Sequence, residues 1–152
     1  MPERIIVPGL DELRKALKDL GDIEGTKEFK LAGWRAANEV VIPGAQSRAS
    51  TRLQQAAAAT LAAAKVATGG GVRFGAGFPG AMGAEFGAAQ NQLRNTRRGP
   101  VRGWNQFDAW RGSGPDAGYF LWPTIREEAD RIVEVIDEAL DPLFARVFPE
   151  RR

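Results

Sequence analysis

The chain contains no cysteine and no histidine. Without cysteine it has no disulfide, no thiolate nucleophile and no thiolate metal ligand. Without histidine it lacks the commonest general base near neutral pH and the commonest zinc ligand. It has one tyrosine and two methionines. Long apolar runs are absent too. The most apolar window, residues 55–68, is built on alanine and interrupted by Lys65, too weak to span a bilayer. The first eight residues hold a three-residue apolar run, Ile5 to Val7, which gives no room for the hydrophobic region of a signal peptide. No Gly-Lys-Ser or Gly-Lys-Thr occurs, so the nucleoside-triphosphate loop is missing. Net charge is only +2, which does not argue for nucleic acid. These absences point to a soluble protein with no membrane span, no cofactor, no metal and no catalytic residues. Carboxylates, amines, hydroxyls and Tyr119 remain for acid–base or nucleophilic work, and nothing in the sequence arranges them in pairs.

What is present is enough for a core. A chain of 152 residues fits one domain, residues 1–152, and a domain of this size buries roughly 70% of its unfolded surface. The densest apolar stretch is Gly118-Tyr119-Phe120-Leu121-Trp122-Pro123-Thr124-Ile125. Trp104, Phe107 and Trp110 lie just upstream, so six of the thirteen aromatics fall between Trp104 and Trp122. This block is expected to lie in the core and to pin the last helix.

In chain order, Ile5 to Val7 reads as a short strand or extended lead-in, broken by Pro8-Gly9. Leu10, Leu13, Leu17 and Leu20 recur at helical steps and predict one buried stripe ending at Gly21. Thr26 is the expected N-cap of a second helix over residues 27–42, interrupted at Pro43. Beyond it the alanine-rich stretch allows two readings. One is a long helix kinked near Pro43; the other ends near Ser50 and leads into a strand carrying Leu61 to Ala67. Eight glycines between Gly69 and Gly87 oppose helix. Val72 to Ala76 and Ala84 to Ala88 therefore predict a glycine-rich antiparallel hairpin. Residues 91–103 form an expected exposed basic loop. Trp104 to Trp110 fits either a bent strand or a helical turn. The last helix is expected from Pro123 or Thr124, with Ile125, Ala129, Ile132, Val133, Ile136 and Leu140 as its apolar stripe, weakened or ended by Pro142. The expected class is α+β: a small antiparallel sheet or hairpin packed with a long helix in the N-terminal half and an amphipathic C-terminal helix.

Two surfaces stand out as candidate interfaces. One is basic and aromatic: Arg94, Arg97, Arg98, Arg102, Trp104, Trp110 and Arg111. The other is acidic: Glu127, Glu134 and Glu138 on the last helix. Arginine and tryptophan dominate interface energetics. An acidic stripe on one subunit facing a basic loop on the next would fix the register of a symmetric assembly. The alternative use of the residues from Arg94 to Arg111 is a nucleic-acid-binding module, with arginines interleaved with stacking aromatics.

The order of three segments resembles the neck and tail-component proteins encoded between the head and tail genes of long-tailed bacteriophages. The first runs from Ala36-Ala37-Asn38-Glu39-Val40-Val41-Ile42-Pro43-Gly44-Ala45 into Ser47-Arg48-Ala49 and Thr51-Arg52-Leu53. The second is Val72-Arg73-Phe74-Gly75 followed by Ala84-Glu85-Phe86-Gly87. The third is Gly118 to Arg126, similar to that family's aromatic-Pro-Ala-Ile lead into a final helix. Two features depart from the pattern: Thr51-Arg52-Leu53 lacks a glycine between arginine and leucine, and the basic loop is longer. The resemblance implies a non-enzymatic virion protein of the head-to-tail interface, a neck, tail-completion or tail-terminator component. It implies a homo-oligomer, a hexameric or higher ring, joined to head-completion or connector proteins and to tail-tube or terminator proteins. It places the protein in the virion, and in the host cytoplasm during assembly; the low net charge and the acidic helices nearby argue separately against direct DNA binding.

Overall fold

The computed structural model describes residues 9–64, 71–88, 93–102 and 107–151. The expected strand at Ile5 to Val7 and the residue Trp104 lie outside them. The protein is α+β. Its helices are α1 (Leu10–Asp19), α2 (Ile23–Ala36), α3 (Ile42–Arg48), α4 (Arg52–Ala58), α5 (Ala81–Phe86), α6 (Leu121–Glu127) and α7 (Ala129–Val147). Two antiparallel pairs of strands accompany them: β1 (Ala62–Ala64) with β2 (Gly71–Arg73), and β3 (Leu93–Thr96) with β4 (Gly99–Arg102). The chain divides into two compact units. The first comprises Met1–Pro43, Ala62–Arg73 and Ile125–Arg152; the second comprises Gly44–Leu61 and Phe74–Thr124.

The first unit is built on three helices. Leu13 and Leu17 of α1, Phe29 and Ala32 of α2, and Leu140 and Leu143 of α7 form its core. The predicted leucine stripe is shorter than four residues, because Leu20 is 68% exposed. Leu20 follows the end of α1, and Gly21 then turns with φ +63°. The second helix begins four residues before the expected start, because Asp22 and not Thr26 caps it. Asp22 Oδ1 accepts from the Gly25 N–H at 2.8 Å, and the Thr26 hydroxyl donates to the Asp22 carbonyl at 2.8 Å. Arg146 of α7 pairs with the same aspartate at 3.0 Å, tying the last helix to the start of α2.

Pro43 neither ends nor interrupts the helical backbone. Residues Ala37–Val41 form a π turn, and the Ile42 N–H reaches back five residues to the Ala37 carbonyl. The widened turn resets the register, so Pro43 falls in the first turn of α3, where its missing donor costs least. Beyond Pro43 the course that ends near Ser50 and leads into a strand is the nearer one, and Lys65 to Ala67 of that strand lie outside the described residues. The helix stops at Arg48; Thr51 then opens α4 with a capping box, its hydroxyl accepting from the Gln54 N–H at 3.1 Å; among the described residues the strand that follows is Ala62–Ala64. Pro142 lies inside α7, which continues to Val147. Burial of Leu143 with partly buried Phe144 and Val147 offsets the lost hydrogen bond.

The predicted glycine-rich hairpin is not formed. Gly71–Arg73 pairs with Ala62–Ala64 in the register Ala62↔Arg73, and residues 81–86 are the helix α5. Glycine's poor helix propensity is overridden because α5 buries Ala81, Ala84 and Glu85. The expected loop over residues 91–103 contains the second hairpin, in the register Arg94↔Val101 and Thr96↔Gly99.

Replacing Leu140 by alanine should cost about 3 kcal/mol of unfolding free energy, as for a fully buried leucine, whereas Leu20→Ala should change it by less than about 0.5 kcal/mol. Urea unfolding of the two variants checks this; equal losses would return Leu20 to the core.

A buried carboxylate beneath an arginine and aromatic surface

The second unit is organised by a side chain that the sequence reading did not single out. Glu85, on α5, is fully buried. Its Oε2 accepts from the N–H groups of Phe120 at 3.2 Å and Leu121 at 2.9 Å, and its Oε1 accepts from the Trp122 N–H at 2.9 Å. A helix leaves its first four N–H groups without internal partners. In α6 three of them go to Glu85, and the fourth position is Pro123, which has no N–H. The count closes with no side-chain cap from the local sequence. A negative charge at a helix N-terminus also meets the favourable end of the helix dipole. Burial still dominates the titration: desolvation pushes the Glu85 carboxyl above its ordinary 4.5, against the lowering effect of the Leu121, Trp122 and Phe120 N–H bonds.

Gly118 makes room for this arrangement. It has φ +88°, and a Cβ there would overlap Glu85 Oε1. The aromatic block divides accordingly. Phe120 and Leu121 are buried, while Tyr119 and Trp122 are half-buried. Phe120 meets Phe74 edge-on at 5.8 Å, and Trp122 meets Phe86 edge-on at 5.2 Å between ring centroids.

The segment from Asp108 to Arg111 is strapped to α5. The Ala88 N–H donates to the Asp108 carbonyl at 2.9 Å, and the Arg111 N–H donates to the Phe86 carbonyl at 2.6 Å. The Tyr119 hydroxyl donates to the Ala109 carbonyl at 2.7 Å, and the Gly118 N–H to the Arg111 carbonyl at 2.7 Å. Gln54 adds a side-chain tie, its amide donating to Asp108 Oδ2 at 2.9 Å. The strap is neither the bent strand nor the helical turn expected; a single parallel bridge, Ala88↔Ala109, is its regular part. Close approach needs the glycines of α5. A Cβ at Gly83 would lie 2.8 Å from the Phe107 ring, and one at Gly87 would overlap the Ala109 carbonyl.

The strap fixes two of the candidate interface residues. Trp110 is 60% exposed and lies 6.5 Å from Phe86 between ring centroids. Arg111 is exposed and its guanidinium sits 4.4 Å over the Tyr119 ring. Arg97 and Arg98 are exposed in the two-residue turn between β3 and β4. Arg94 and Arg102 are on adjacent rungs of that hairpin, Arg94↔Val101 and Leu93↔Arg102. Trp104 is outside the described residues. The acidic candidates belong to the first unit. Glu134 and Glu138 are exposed one turn apart on α7, joined by exposed Asp130 and Asp137, while Glu127 is on α6, across the break at Glu128. Sequence spacing put some of those three glutamates on one face of a single last helix; the break between α6 and α7 leaves two of them, Glu134 and Glu138, on one helix.

Charge is divided between the units. The second carries seven arginines, no lysine and three acids; the first carries sixteen acids and fourteen bases. Two of the second unit's acids are engaged internally, Glu85 with α6 and Asp108 with Gln54, which leaves Asp116 on its surface. In the first unit a cleft of about 360 Å³ is lined by Lys18, Lys27 and Lys30, with Asp22 already held by Arg146 and Lys27 by Glu24. Among the described residues no group of Asp or Glu side chains is arranged to hold a metal ion, and no helix is long and apolar enough to cross a membrane.

No family model matches the chain, and comparison with curated proteins and with solved structures gives no match.

Glu85→Gln replaces one acceptor by an NH₂ group pointed at backbone N–H donors. It should cost about 3 kcal/mol at neutral pH. Because the folded pKa is raised, the wild-type carboxyl contributes most below 4.5, and that contribution is lost as pH rises through the folded value. The stability gap between wild type and Glu85→Gln should therefore widen on acidification. Denaturant titrations from neutral pH to below 4.5 measure it; a gap that narrows toward acid would show that the native state favours the anion.

Proposed function

We propose that the protein is a structural, non-catalytic assembly component of the head-to-tail interface of a long-tailed bacteriophage, of the neck, tail-completion or tail-terminator kind, working as a ring of identical subunits. The observation that carries this reading is an uneven distribution of charge: a unit with seven arginines against three acids that bears exposed Trp110, and a helix α7 in the other unit that exposes Asp130, Glu134, Asp137 and Glu138. Complementary patches on one chain are what a head-to-tail ring requires. The buried polar side chains Gln54, Glu85 and Thr124 support the same reading, since each is engaged with the chain's own backbone. The order of the three segments that resemble the phage neck proteins adds the virion context, with head-completion or connector proteins and tail-tube or terminator proteins as neighbours.

A second reading is favoured by one observation. Every base of the second unit is arginine, and Arg97-Arg98 occupies the tip of a hairpin. Such a tip also suits nucleic-acid phosphates.

Mass photometry of the purified chain over rising concentration should show a ring-sized species, and the chain should be present in purified particles. Replacing Arg97 and Arg98 by serine should leave the unfolding midpoint near its original value and weaken assembly. A chain that stays monomeric at high concentration and is absent from particles overturns the proposal. A steep loss of DNA binding with salt by such a monomer would favour the second reading.

A further inference from the structure

The outer side of α5 and the strap beside it form a patch with an assignable occupant. Met82 is 56% exposed and Trp110 60% exposed. They flank Phe86, which lies one turn after Met82 on α5 and against the Trp110 ring. Methionine and tryptophan are the adaptable and the rigid anchors of protein interfaces. Arg111 stands beside them with its guanidinium ordered on Tyr119. Two of the unit's three acids, Glu85 and Asp108, are engaged in its own fold, and Arg111 sets a positive charge at the edge of the patch. An occupant must therefore combine an acidic face with some apolar surface.

This chain carries such an element. Helix α7 turns Ile132, Leu140 and Leu143 inward and exposes Asp130, Glu134, Asp137 and Glu138. The spacing of these acids puts them on one side of the helix, with half-buried Val133 on its flank. We propose that the Met82–Phe86–Trp110 patch is the seat for helix α7 of a second copy of this chain, with Arg111 facing Glu134 and its neighbours. The proposal rests on the assembly reading above and names the contact that would make it. Such a contact joins unlike surfaces, so it repeats from copy to copy and closes into a ring when the rotation permits.

Sedimentation velocity of the intact chain and its variants tests this. Trp110→Ala, Arg111→Glu and Glu134→Arg should each weaken self-association at least about tenfold, with the thermal midpoint shifted by no more than a few degrees. Met82→Ser serves in place of Trp110→Ala if that variant unfolds. Arg111→Glu and Glu134→Arg combined in one chain should restore association, because every interface regains an opposite pair. If wild type associates but Trp110→Ala and Met82→Ser associate equally well, or the combined swap restores nothing, this contact is wrong and the assembly reading survives. If wild type itself remains monomeric, the assembly reading falls and this contact with it.

Discussion

The Glu85 carboxylate sits where the start of α6 needs an acceptor, and the second unit depends on that fit. Three backbone N–H groups converge on it, and Pro123 removes the donor that would have been left over. The cost is a charge taken out of water, which these donors offset in part, so the carboxyl still titrates above its ordinary value. Gly118 must then lack a side chain, since a Cβ would occupy the carboxylate's place. The strap follows in turn, because the Gly118 N–H holds the Arg111 carbonyl and Tyr119 holds the Ala109 carbonyl. One buried acid thereby sets the position of Trp110 and Arg111 on the outside.

The same economy shapes the surface. With Glu85 buried and Asp108 tied to Gln54, the unit sets seven arginines against one acid not engaged in its own fold, Asp116. Arginine is weakly hydrated and planar, suited to desolvated contacts and to stacking, as Arg111 does on Tyr119. The first unit uses its core differently. Leucine and phenylalanine side chains hold α1, α2 and α7, and the acids of α7 stay in water. The two units thus offer unlike surfaces, and the absence of cysteine means that no disulfide holds either core.

Where the hydrophobic period was strong, the sequence was legible. The α+β class, α1, the long helix through Pro43 and the amphipathic α7 follow from leucine, isoleucine and alanine spacing. Helix ends were less so, because a cap depends on one geometry: Asp22 and Thr26 are both capable caps, and only the N–H of Gly25 decides between them. The stretch with eight glycines misled most, since α5 forms by burying Glu85 and two alanines, a tertiary effect with no local signature. A lone acid among glycines and aromatics was the available clue to Glu85, and its partners lie 35 to 37 residues away. Of the candidate surface, Arg97 and Arg98 were readable as exposed and Trp110 and Arg111 as interface candidates, while their separation from Glu134 and Glu138 into different units was not.

Because the chain contains no cysteine, single cysteines can be placed without background. A mixture of Arg111→Cys chains with Glu134→Cys chains, mildly oxidised at a concentration where the protein associates, reports only contacts between copies. The account predicts a mixed disulfide dimer in clear excess over either homodimer. Homodimers alone, or no cross-link in protein that sediments as an oligomer, would contradict it.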